Sequence, residues 1–122
     1  IFWAIGFHHL IFKRFKNNIF KIQNRENADV LGLDITTRYP GASFYGSGGY
    51  HHQLAGNVWN SRRAGKRPTG MAGLDAIEIV VRDTAEITAI AARAESVGLE
   101  PIHDAGGLTL HDPWGTAITL KN

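Results

Sequence analysis

The residues best equipped for chemistry are two neighbouring histidines, His51 and His52. They sit in the run Gly48-Gly49-Tyr50-His51-His52-Gln53-Leu54-Ala55-Gly56-Asn57-Val58-Trp59. An imidazole can exchange a proton near neutral pH. Tyr50 and Trp59 flank the pair, and an aromatic ring there could stack on a ligand or pack into the core. Glu78 lies in the apolar run from Leu74 to Arg82 and offers a carboxylate. Either it faces a cavity or it is a solvated strand residue. His103 and His111 lie near turns and read as ordinary polar positions. Cysteine is absent, which excludes a disulfide framework, a thiolate nucleophile and a cysteine-based zinc site.

Strands must position these groups. Val30, Leu31, Ile35, Thr36 and Thr37 predict a strand over Leu31 to Arg38, and Pro40-Gly41 predicts a turn. Ala42 to Tyr45 reads as a second strand, Gly46 to Gly49 as a loop, and Tyr50 to Trp59 as a third strand. Alternation along that third strand places His52, Leu54, Gly56 and Val58 on one face and His51 on the other. Asn60 to Gly70 is polar and cationic and reads as a solvated connection. Leu74 to Arg82 is the clearest strand, with Ala76, Glu78 and Val80 on one face and Ile77 and Ile79 on the other. Asp83 then predicts a helix N-cap, with Glu86 three residues on. Ile87, Ile90, Ala91 and Ala94 form an apolar helix face, and Gly98 ends it. Three short strands follow, over Pro101 to Asp104, Leu108 to His111 and Thr116 to Leu120. The order from Leu74 is β-α-β-β-β.

The composition changes near Ala28. The first 28 residues hold five of the six Phe but one of the 14 Gly, with net charge +4. The remainder carries −2. Ile1, Ile5, His8, Phe12, Phe15, Ile19 and Ile22 recur at three- and four-residue steps, which predicts an amphipathic helix. Two origins stay open for this segment: a native first helix, or a replacement start joined to an older domain. The whole-chain charge of +2 is too small to imply a nucleic-acid partner. No apolar run approaches the roughly 20 residues of a membrane span. With 43% hydrophobic residues the chain is globular, and 122 residues suffice for one modest domain. A chain without cysteine fits the cytoplasm.

The segment Gly49-Tyr50-His51-His52, with Asn57 and Trp59, resembles a motif of the vicinal oxygen chelate superfamily. That superfamily includes glyoxalases, bleomycin-resistance proteins and extradiol dioxygenases. The motif is most similar to that of catechol 2,3-dioxygenase-like members, which often carry a third His where this chain has Gln53, and a Gly one place before Gly56. Val30-Leu31-Gly32-Leu33 resembles the end of a first module's helix, and Asp112-Pro113-Trp114-Gly115 resembles the hairpin before a last strand. The resemblance implies an α+β fold of paired βαβββ modules, whose curved mixed sheet forms a cleft. It divides a single domain, 1–122, into an atypical first module (1–60), a linker (61–71) and a second module (72–122). Ile5-Gly6-Phe7-His8-His9-Leu10 resembles the family's opening strand, which would put His9 at a metal position.

The resemblance also implies where metal ligands should lie. The second module's first strand should offer a His where this chain has Ala76, and its last strand a Glu where this chain has Thr119. Extradiol iron needs two His and one carboxylate. Ala76 cannot bind a metal, and a neutral Thr is a poor ligand. We therefore expect no catalytic metal and no cofactor, with a divalent metal involving His9 as the exception. His52 matches a His that assists proton transfer in extradiol enzymes. In the family arrangement His52 and Glu78 look into one cleft, with Trp59 and His51 as further ligand contacts. The expected function is binding a small molecule, with an aromatic as the candidate class, as a homodimer. The alternatives are a metal-dependent dioxygenase or glyoxalase-like lyase with non-standard ligands, and a rearranged gene product without a ligand.

Overall fold

The computed structural model describes residues 12–14, 25–60, 66, 68–112 and 114–122. The chain divides into two compact units, Ala4–Ala64 and a second formed chiefly by Gly65–Asn122. The fold is α+β, with a four-stranded sheet in each unit.

In the first unit, β1 (Phe12–Arg14) precedes a π-helical turn over Arg25–Val30. β2 (Asp34–Tyr39), β3 (Ala42–Gly46) and β4 (Leu54–Asn57) follow. The sheet order is β1-β4-β3-β2, with β1 parallel to β4 and the other pairs antiparallel. The segment read as a continuous helix thus contains a strand at Phe12–Arg14. Its partner is remote: Phe12 stands opposite Ala55, and Arg14 opposite Asn57. The π-helical turn ends where Gly32 adopts φ 75°, as the Val30-Leu31-Gly32-Leu33 resemblance implies. Val30, Leu31 and Leu33 are buried beside it. His9 lies outside the described residues.

The second unit repeats this arrangement. β5 (Ala76–Val80) leads to α1 (Thr84–Ser96), then β6 (Ile102–Asp104), β7 (Gly107–His111) and β8 (Ala117–Lys121). The order is β5-β8-β7-β6, again with the first and last strands parallel. Both ends of α1 are built locally. The Asp83 carboxylate accepts from Glu86 N at 2.9 Å. Gly98 takes φ 80°, and Gly98 N and Leu99 N donate to Glu95 O and Ala94 O. That pattern is a Schellman cap, in which a left-handed residue lets the chain satisfy the last carbonyls. Ile87, Ile90, Ala91 and Ala94 bury one helix face. Ile77, Ile79, Leu108, Leu110, Ile118 and Leu120 are also buried, on the alternate positions of their strands. Burying each large aliphatic side chain contributes about 1.5–3 kcal/mol.

Candidate functional site

In the first unit, the chain between β3 and β4 makes a loop that extends through Gln53. The strand expected over Tyr50 to Trp59 is therefore shorter, covering Leu54–Asn57. Gly48 and Gly49 take φ 61° and 76°, conformations that other residues seldom adopt. Gly46 is required for a different reason: a Cβ there would lie 2.4 Å from the Tyr50 carbonyl oxygen. Gln53 closes the loop. Its Oε1 accepts from Ser47 N at 2.9 Å, and its own N donates to Tyr45 O at 2.8 Å. The Thr36 hydroxyl donates to the His51 carbonyl oxygen at 2.5 Å.

This loop groups three rings at one end of the sheet. The Tyr50 and His51 rings have centroids 4.3 Å apart, and those of His51 and His52 are 4.5 Å apart and nearly perpendicular. Phe44 meets His52 edge-on at 5.1 Å. Because His52 precedes the strand, alternation does not govern it. Phe44 shares a sheet face with its partner Ala55, opposite the Leu54 face on which regular alternation would put His52. Partial burial, followed by the neighbouring His51 charge, pushes the His52 pKa below its ordinary value. His52 is thus a mainly neutral imidazole near pH 7, able to accept or donate a hydrogen bond.

Trp59 follows β4 at its opposite end, away from this cluster. Its indole Nε1 donates to Pro40 O at 2.9 Å, and its ring meets Tyr39 edge-on at 6.3 Å. A Cβ on Gly41 would come within 3.0 Å of the indole. Trp59 covers the β2–β3 turn.

In the second unit, Glu78 is exposed on β5, and its register partner is Thr119 on β8. Thr119 Oγ1 lies 3.3 Å from Thr109 Oγ1 across the next strand pair. Glu78 Oε2 lies 2.6 Å from Lys121 Nζ, and this hydrogen bond and charge raise the lysine pKa. Ala76 pairs with Ala117, whose other partner is His111. One face therefore presents a methyl at Ala76 and hydroxyls at Thr119 and Thr109. It also carries the His111 imidazole, across from Ala117, and the Glu78–Lys121 ion pair, whose carboxylate is already engaged. This donor set does not fit an extradiol iron or a glyoxalase-type metal. Among the described residues, no group of three or more His, Cys, Asp or Glu could hold a metal.

His103 and His111 separate by orientation. His103 registers with Leu108, which is fully buried, and His111 with Ala117. The residues that sequence reasoning missed are Phe44, which seats His52, and Lys121, which engages Glu78. Lys121 had a readable signal, since it lies two residues beyond Thr119 on the same strand face. Phe44 had none, because its contact depends on where the loop returns.

No family model matches the chain. A catechol-2,3-dioxygenase of Bacillus subtilis (strain 168) is 36% identical over 87 residues, covering 70% of this chain and 30% of that protein. The chain thus spans less than a third of the curated relative it matches. Among solved structures, a glyoxylase/bleomycin resistance protein/dioxygenase domain from Frankia sp. EAN1pec has TM-score 0.66 at 15% identity, covering 97% of this chain and 98% of that one. A fosfomycin resistance protein from Listeria monocytogenes, complexed with Mn(II) and sulfate, has TM-score 0.66 at 9% identity, covering 97% and 90%. An integron cassette protein from V. cholerae has TM-score 0.60 at 12% identity, covering 97% of each chain. The repeated strand order, the likeness of fold and the sequence identity converge: the chain belongs to the vicinal oxygen chelate superfamily.

Proposed function

We propose that this protein binds a small organic ligand and lacks the catalytic metal of its enzymatic relatives. The observation that carries the reading is the donor set on the β5–β8 face. Ala76 and Thr119 stand at the expected ligand positions, and the nearby Glu78 carboxylate is engaged by Lys121. The ligand contact we assign is the ring cluster of Phe44, Tyr50, His51 and His52. Flat rings with a neutral imidazole suit an aromatic ligand carrying a hydroxyl, because the rings stack and the imidazole takes the hydrogen bond. Trp59 supports the β2–β3 turn in this reading, and Glu78 holds Lys121. The working form is a homodimer in the cytoplasm.

The test is a thermal-shift screen of phenols and catechols, repeated on His52→Ala. We expect stabilisation by at least one compound, and loss of that shift in the variant with the unliganded melting temperature nearly unchanged. Hits indifferent to His52→Ala would place the site elsewhere. Mn(II) and Fe(II) titrations should show no stoichiometric binding. A one-to-one metal complex would overturn the non-metal reading and favour a dioxygenase or lyase with non-standard ligands.

A further inference from the structure

A second recess lies in the unit formed by Gly65–Asn122, on the helix side of its sheet. It occupies about 460 Å³ between α1 and the β6–β7 hairpin. That volume falls in the range of small-molecule sites, roughly 300–1,000 Å³. The recess exists because small residues line it. Gly107 cannot carry a side chain, since its Cβ would lie 2.4 Å from Leu120 O. Ala91 and Ile87 line it from α1 and supply apolar surface. Both are buried. Glu95 stands on the rim one helical turn beyond Ala91, and His103 and Asp104 line the recess from β6. His103 shares the helix-facing side of β6 with the register of Leu108.

We infer that this recess is a binding site for a small organic cation, an amine attached to a compact apolar group. The apolar group would lie over Ile87, Ala91 and Gly107, where it displaces water from apolar surface. The ammonium would meet the Glu95 carboxylate, and the exposed imidazole of His103 would accept one of its N–H bonds. A carboxylate ligand fits poorly, because Glu95 and Asp104 both oppose it. This site is separate from the ring cluster of Phe44 and His52 and does not depend on it.

Benzylamine is the probe, with benzyl alcohol and benzoate as the neutral and anionic comparators. Amide chemical shifts of the full chain would be followed during titration. The expected result is saturable shifts at Ala91, Glu95, Gly106 and Gly107 with benzylamine, weaker shifts with benzyl alcohol and none with benzoate. Glu95→Gln should weaken benzylamine binding at least fivefold, while His52→Ala leaves it unchanged. Gly106→Leu gives a second check. Gly106 lines the recess, and a Cβ there meets nothing within 4 Å, so the variant should fold and obstruct the recess. Equal binding of all three probes, or binding that survives both Glu95→Gln and Gly106→Leu, would overturn the assignment. Benzylamine shifts confined to His51 and His52 would do the same.

Discussion

His52 carries a consequence for acid stability. Its folded pKa is lowered by burial and by His51, so the folded state binds fewer protons than the unfolded chain. The associated stability is present above the ordinary histidine value of 6.5 and is lost as pH falls below it, toward the lowered folded value. We expect the His52 ring resonances to titrate below 6.5. We also expect the denaturation midpoint to drop between neutral and mildly acidic pH. His51→Gln should move the His52 titration upward, because it removes one of the two causes. A His52 pKa unchanged by that substitution would leave burial as the sole source. The histidines also show what was legible at this scale. Their candidacy as a site was readable from residue type beside glycines. Their orientation was not, because the strand reading ran four residues too early. Gly48 and Gly49 signalled the loop, but the Gln53–Ser47 closure that extends it depends on a fold-back that spacing does not reveal.

At the scale of elements, local chemistry was the most readable. Asp83, Glu86 and Gly98 fix both ends of α1 with contacts a few residues apart, and the sequence places each of them. Asp83→Ala should therefore destabilise the protein by about 1 kcal/mol in urea denaturation. Gly98→Ala should cost about 1 kcal/mol, since the new side chain must adopt φ near 80°. Gly107→Ala should cost more, about 1–3 kcal/mol, because its Cβ collides with backbone at Leu120 O and no rotamer relieves that. If Gly98→Ala proved costlier than Gly107→Ala, the collision argument would be wrong. The unreadable element was β1. Phe12 fits a helical apolar period, yet it pairs with a strand more than 40 residues away. Periodicity reports local surface; it does not report a remote partner.

At the scale of the molecule, the two units share one topology, in which the fourth strand inserts beside the first. The order of elements in the second unit was legible from its turns and caps; the first unit's sheet needed the remote pairing. Among the described residues, no helix is long and apolar enough to cross a membrane. β6 is an outer strand, and Ile102 on it is 53% exposed. An exposed strand edge offers a template for pairing with another chain, which motivates the proposed homodimer. Sedimentation equilibrium should report a dimer at micromolar concentration, and Ile102→Lys should shift it toward monomer. A monomer in both would reject that interface.

The interior position of β8 has a kinetic consequence. Ile77 waits for Ile118, 41 residues later, before its strand has any neighbour in the sheet. During synthesis, β5 and α1 leave the ribosome long before that partner exists. The β6–β7 hairpin can close early, since Ile102 and Thr109 are only seven residues apart. Pulsed hydrogen exchange during refolding should then protect Thr109 before Ile77 and Ile79. Until β8 arrives, both strands that flank it expose unsatisfied backbone at once, so this is the interval in which the nascent chain is most open to aggregation.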